Sequence, residues 1–183
     1  RPAFSAEHSH ELFSALLASA MASRLPDADF AKLVARAAAL DPADQGAGAR
    51  QIRWQTMRLR DWSAVNEARS RLRWAWHTFF QQVDFLIAPI MPTTAFAHDH
   101  AALGERRIEI DGVRHPYFMQ TFWAGLAGVA YLPATVIPAG CGPDGLPIGV
   151  QIIGPGHGDL RTIQLAQRLE QLGFVFNPPP GCA

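Results

Sequence analysis

The stretch Gly145-Leu-Pro-Ile-Gly-Val-Gln-Ile-Ile-Gly154 decides how the chain reads. From Ile148 to Ile153 it is a short apolar run between Gly/Pro punctuation, the pattern of an interior strand. Upstream, Ala134-Thr-Val-Ile137 reads as a second interior strand, joined to the first by a Gly/Pro loop. Downstream, Asp159 to Leu172 has the spacing of a closing amphipathic helix, with Asp159 as N-cap and Arg161 and Arg168 on its exposed face. Further back, Asp84-Phe-Leu-Ile-Ala88 is a buried strand ending at Pro89. Arg106-Arg-Ile-Glu-Ile-Asp111 alternates polar and apolar residues, and Asp111-Gly112 signals a hairpin that returns the chain through Val113. Residues 117–130 are apolar on all sides and predict a buried helix.

The N-terminal part has helical rather than alternating periodicity. Leu12, Phe13, Leu16, Leu17 and Met21 place a helix over Ala6 to Ser23, stopped by Pro26. Phe30, Leu33, Val34 and Ala37 predict another from Asp27 to Leu40, with Asp27 accepting from first-turn amides and Asp41-Pro42 ending it. After a small loop at 44–48, Trp54, Met57, Trp62, Val65, Leu72, Trp76, Phe79 and Val83 recur with no Gly or Pro between Arg50 and Val83. That predicts one helix of ~50 Å. Arg50, Arg53, Arg58, Arg60, Arg69, Arg71 and Arg73 decorate its other faces as a solvated surface over an aromatic stripe. Helices first and strands with helices later make this an α/β chain, the long helices in the N-terminal half packed on a sheet. The expectation is a single partial domain over 1–183, mainly helical in 1–83.

Composition bounds the function. In 183 residues, 49% are hydrophobic and 16 basic groups balance 16 acidic ones, which suits a globular chain and argues against disorder. A net charge of zero argues against a general nucleic-acid or membrane-surface partner, whose affinity comes from a basic excess. No apolar run approaches the ~20 residues of a membrane span, and no signal-peptide pattern opens the chain. Cys141 and Cys182 are too few and too far apart for a disulfide framework, so a reducing, cytoplasmic setting is expected. Arg rather than Met stands first, so the chain is expected to be cut from a longer one or processed.

Several groups invite a chemical reading. Gly154-Pro-Gly-His-Gly-Asp159 follows a strand and opens a helix, where a phosphate loop would sit, but Asp159 stands where G-x-G-x-x-G needs its third glycine. His98-Asp99-His100, with His115 across the hairpin, could hold a metal or be a polar loop. His8-x-His10 offers a weaker pair on a surface helix. Cys141 lies in a loop with no helix start behind it to activate the thiol. All seven Ser lie at or before Ser70, none in a Gly-rich turn, and the single Lys, Lys32, sits on an ordinary helix face. The chain by itself shows no acyl-transfer machinery.

Taken together, Asp84-Phe-Leu-Ile-Ala-Pro-Ile-Met-Pro-Thr-Thr94, Leu132-Pro-Ala-Thr-Val-Ile-Pro-Ala-Gly140 and the Gly-Leu-Pro-x-Gly-x-Gln strand, followed by Asp159, Leu165, Ala166 and Leu169-Glu170, resemble the C-terminal part of the amidase signature family. The helix with Asn66-Glu-Ala-Arg and the final Pro179-Pro180-Gly181 are similar to bacterial members more loosely. The resemblance implies a mixed β-sheet covered by α-helices. It also implies a serine hydrolase of linear amides, in which a Lys activates a cis-Ser, the cis-Ser activates the nucleophilic Ser, and an acyl-enzyme is then cleaved. No metal or organic cofactor is implied. The triad and the Gly/Ser-rich signature lie upstream in the family and none of them maps onto this sequence. Lys32 does not match the catalytic Lys.

What this part contributes in the family is sheet, covering helices and one wall of the substrate channel. The wall candidates are Phe118, Thr121, Phe122 and Trp123, whose aromatic character suits an apolar or aromatic acyl group; each is equally well placed as plain core of a buried helix. The family's Asn-x-x-Gly-x-Pro stands here as Gly128-Val-Ala-Tyr-Leu-Pro133, departing at the Asn and the Gly. No acidic side chain lies between Tyr117 and Pro133, which argues against a glutamine-handling amidotransferase. The implied partners are an upstream catalytic half of the same polypeptide and a small-molecule amide, and a homo-oligomer is allowed. The alternative is a non-enzymatic α/β binding module or pseudoenzyme using the Gly154–Asp159 loop, which nucleotide titration would separate from the first reading.

Overall fold

The computed structural model describes residues 4–178, so Cys182 and the closing Pro179-Pro180-Gly181 lie outside the described residues. The chain divides into two compact units after Ala75. In the first, helix α1 (Ala6–Ala22) is capped by Ser5, whose hydroxyl accepts from the His8 amide at 3.2 Å. One face buries Ser9, Leu12, Ala15, Ala18 and Ala22. These are mostly small side chains, which let a neighbouring helix approach closely. That neighbour is α3 (Ala47–Gln55), which buries Ala49 and also packs on α2 (Asp27–Ala38).

Two expectations fail here. Asp27 is not a cap: Pro26 occupies the cap position, and no side chain bonds the free amides of α2. The single helix expected over 50–83 also breaks. Thr56 leaves helical geometry (φ −115, ψ 21) while its hydroxyl donates back to the Ile52 carbonyl at 2.9 Å, and the next helix, α4 (Leu59–Phe79), starts after Arg58. Arg58 grips Asp61 at 2.7 Å across the new first turn. The Thr56 amide and hydroxyl both bond the Ile52 carbonyl, closing the last turn of α3 there, and a periodicity count does not see it.

The second unit begins in the last turn of α4. There Trp76 is fully buried, stacked on Phe80 and edge-on to Phe79, each at 5.6 Å between ring centres. Strands β1 (Leu86–Pro89), β4 (Ala134–Cys141) and β5 (Pro147–Ile153) form a three-stranded sheet in the order β1-β5-β4. Between β1 and β4 lies the hairpin of β2 (Arg107–Ile110) and β3 (Val113–Pro116), with Ile108 opposite His115. Its turn is the expected one: Asp111 (φ 51) and Gly112 (φ 76) both take the positive angles a two-residue hairpin needs.

The registers Leu86↔Ile153↔Ala134 and Ala88↔Gln151↔Val136 put Leu86, Ala88, Ile153 and Gln151 on one sheet face and Ile152, Thr135 and Ile137 on the other. Helix α5 (Thr121–Gly128) covers the first face, where Ala88, Ala127 and Ile153 form a core with Trp123, Leu126 and Leu132 packed against it. Helix α6 (Asp159–Gln171) covers the second. It is tied down by Thr135 Oγ1, which donates to Thr162 Oγ1 at 2.8 Å, while Thr162 Oγ1 donates to the Asp159 carbonyl.

The α/β class and a sheet covered by helices are as expected, and among the described residues the strand pairs run antiparallel. Details differ. Of the two strands read as interior, only β5 is central. Among the described residues β4 is an edge, and it carries Pro138 and a bulge between Pro138 and Gly140, both features that edge strands tolerate. The buried helix expected over 117–130 begins instead as a 3₁₀ turn (Tyr117–Gln120) before α5, because Pro116 sets its entry and no side chain caps it. Asp159 is the first residue of α6 rather than its cap, which is Gly158.

Candidate functional site

Gln151 organises the sheet unit. It sits in the central strand, 4% exposed, and its side-chain amide donates twice: to the Pro89 carbonyl at 2.8 Å and to the Trp123 carbonyl at 2.9 Å. A buried amide whose two N–H groups each find a carbonyl is held by both bonds, since losing either would leave a donor buried without a partner. One side chain therefore sets the end of β1 and the first turn of α5 against each other.

Beyond Pro89 the chain turns into an apolar groove of about 550 Å³, walled by 89–96 on one side and by Pro147, Ile148 and Gly149 on the other. Gly149 lets the Ile90 side chain lie close over the strand: a Cβ there would stand 2.7 Å from Ile90 Cδ1. Thr93 lines the groove, and its Oγ1 is buried without a hydrogen-bond partner among the described residues. The rim is pinned by Thr94 Oγ1, which donates to Asp144 Oδ2 at 2.9 Å. That hydroxyl, helped by the Leu146 amide, holds the Asp144 carboxyl below its ordinary value of 3.8.

The four wall candidates lie at one end of α5. Phe118 is 52% exposed in the 3₁₀ turn, so it is not core. Thr121, Phe122 and Trp123 are half-buried in the first turn of α5, where Thr121 Oγ1 donates to the Phe118 carbonyl at 2.7 Å and the Phe122 and Trp123 rings meet edge to face at 5.1 Å. The structure links this segment to the groove twice. Gln151 holds Trp123 to Pro89, and Phe96 on the groove wall packs edge-on against Tyr117 at 6.1 Å, with Phe118 next in line. Phe96, Ile90, Ile148 and Gln151 were not singled out from sequence as site residues. The Pro-Thr-Thr and Gly-x-Gln runs that hold them were visible as motifs, but their meeting depends on contacts 62 residues apart.

The other candidates separate into structural parts. Gly154 is buried and its amide donates to the Pro133 carbonyl; a Cβ there would meet Thr162 Cγ2 at 2.7 Å. Its loop is thus a close-packed turn into α6, with His157 at φ 63. Arg161 of α6 reaches Asp84 at 2.8 Å and lies over the Phe85 ring. His98 and His100 stack on each other in an exposed loop, and among the described residues no three His, Cys, Asp or Glu gather as a metal site. Cys141 is exposed at the end of β4. Lys32 pairs with Asp29 at 2.8 Å on the open face of α2. Among the described residues no helix is long and apolar enough to cross a membrane.

A family model described as Amidase matches residues 9–163. A glutamyl-tRNA(Gln) amidotransferase subunit of Prochlorococcus marinus (strain MIT 9211) is 37% identical over 106 residues, 56% of this chain and 19% of that protein. A solved structure from work on the evolutionary origins of an s-triazine catabolic enzyme aligns with TM-score 0.67 and 24% identity, covering 92% of this chain and 35% of the other. A bacterial aryl acylamidase belonging to the amidase signature enzymes aligns with TM-score 0.62 and 19% identity, over 95% of this chain and 35% of that one. The two structural likenesses are of fold. The chain spans about a fifth of the length of the curated relatives it matches.

Proposed function

The chain belongs to the amidase family, and from that premise we propose that it is the C-terminal portion, a single partial domain, of a cytoplasmic serine hydrolase that cleaves linear carboxylic amides through an acyl-enzyme. The Ser, cis-Ser and Lys of that chemistry belong to an upstream half of the same polypeptide, and this chain is inactive alone. Its share is the sheet and one wall of the channel: Phe118, Thr121, Phe122 and Trp123 shape the acyl pocket and exclude water from the bond under attack. Neither a metal nor an organic cofactor takes part, and neither nucleic acid nor membrane is a partner. The substrate is a small amide rather than glutamine, because the segment from Tyr117 to Pro133 offers no carboxylate to an α-amino group.

The observation that supports this reading is the double hydrogen bond from Gln151 to the Pro89 and Trp123 carbonyls, which ties the segment carrying the proposed wall residues to the edge of the groove. A binding wall must keep its geometry under load, and directional polar ties do that better than apolar contact alone. The test uses the full-length polypeptide. Because Phe118 is exposed, Phe118→Ala should leave folding intact and raise KM for aryl amides about tenfold, with little change for the smallest aliphatic amides. An unchanged KM for both substrate classes would remove Phe118 from the wall.

A further inference from the structure

The hairpin of β2 and β3 turns Ile108 and His115 inward and leaves Arg107, Glu109 and Arg114 exposed. Arg106 belongs to the inward set. The Tyr117 amide donates to its carbonyl at 3.3 Å, one rung beyond Arg107↔Pro116, and its side chain is half-buried. A cation turned inward calls for a partner, because desolvating it without one costs free energy. Arg106 donates from Nε to the Ala101 carbonyl at 2.8 Å and holds its guanidinium carbon 5.9 Å from the centre of the Tyr117 ring. Among the described residues neither Nη makes a hydrogen bond and the group makes no ion pair.

Its surroundings indicate what the partner is. Tyr117 is a hub: its ring stands 6.1 Å from Phe96 on the groove wall and 6.1 Å from Phe118, so the guanidinium lies one ring away from both. Residues 89–96 and 117–123 hold no carboxylate to neutralise it. The acids nearest in the chain or at the rim are engaged or exposed: Asp99 accepts from the Ala101 amide, Asp144 accepts from Thr94, and Glu105 faces solvent. A planar fork held through Nε, with both Nη groups open, is the geometry that takes a carboxylate. We propose that Arg106 determines specificity by donating to a carboxylate at the far end of the acyl group, so that the preferred substrate is the monoamide of an aromatic dicarboxylic acid. The aromatic body then lies against Tyr117 and Phe118 while the anion reaches Arg106. This rests on the amide-hydrolase reading and narrows its substrate class.

The test uses the full-length polypeptide and two amides that differ only in the anion, terephthalamate and benzamide. Terephthalamate should be preferred by about tenfold in kcat/KM, and Arg106→Gln should remove that preference through KM while benzamide is turned over as before. Arg106→Lys keeps the charge without the fork and should retain part of the preference. Calorimetric titration with terephthalate, the product, reads the same site without turnover. Arg106-dependent binding by a polypeptide that hydrolyses neither amide would uphold the anion site and remove the hydrolase reading alone. If Arg106 instead pairs with a carboxylate of the upstream half, Arg106→Gln lowers the melting temperature and changes both amides alike. That result, equal kcat/KM for the two amides in the unaltered polypeptide, or terephthalate binding indifferent to Arg106→Gln would each overturn the proposal.

Discussion

In residues 4–75 the helices meet through alanines, Ala15, Ala18 and Ala22 on α1 and Ala49 on α3, whereas in 76–178 the elements are joined by polar side chains that reach far along the chain. Gln151 bonds residues 62 and 28 positions away, Thr135 bonds Thr162 across 27, Thr94 bonds Asp144 across 50 and Arg161 reaches Asp84 across 77. Small-residue packing sets how close two helices come but fixes their relation only by volume. Hydrogen bonds add direction. Among the described residues the longest-reaching of these ties lie in the unit that holds the groove and the 117–123 segment, while in residues 4–75 Arg53 bonds the Asp44 and Asp41 carbonyls nine and twelve positions away.

The largest effect should come from breaking the polar tie itself. Gln151→Leu keeps about the same volume but removes both hydrogen bonds that tie Pro89 and Trp123 together, and should cost about 2 kcal/mol in chemical denaturation. In the full-length polypeptide it should also raise KM, because wall and groove lose their common anchor. Ala18→Gly, at the alanine face of α1, should cost about 1 kcal/mol from helix propensity alone and leave KM where it was. If Ala18→Gly moved KM as much as Gln151→Leu, the contrast between the units would dissolve.

Smaller still is a contrast in pH. Half-buried His10 in α1 has its pKa pushed below 6.5 by burial, so the neutral ring is favoured in the fold. Its contribution is present above 6.5 and lost as pH falls through the lowered folded value. Asp144, held low chiefly by the Thr94 hydroxyl, contributes above 3.8 and gives that up only as pH falls through its own, lower value. Acid titration of stability should therefore show a mild loss starting below 6.5 that His10→Gln removes, and a separate one in the carboxylate range, shared with Glu7 and Asp61, that Thr94→Val reduces. A single acid transition unaffected by His10→Gln would contradict this.

What could be read from sequence follows the same division. The hairpin at Asp111-Gly112 was legible because two adjacent residues must both take positive φ, which is local chemistry. The helices of 6–22, 27–38 and 159–171 were legible from periodicity within a residue or two of their ends. The break at Thr56 was not, since the backbone leaves helical angles there (φ −115, ψ 21) while the apolar spacing runs on. Asp27 and Asp159 were each misplaced by one position, because Pro26 and Gly158 supply the cap geometry without a side-chain bond. The family motifs around Pro89 and Gln151 were plain as text. Their purpose was hidden, because the groove exists only when Pro147–Gly149 folds back beside 89–96.

The central claim is that this chain supplies sheet and wall to an amidase whose reacting groups lie elsewhere in the polypeptide. The direct measurement is turnover of an aryl amide by the purified chain, alone and then joined to its upstream half. No turnover above background alone, and hydrolysis on joining that Gln151→Leu weakens through KM, is the predicted result. Reproducible hydrolysis by the chain alone, abolished by Lys32→Ala, would contradict it.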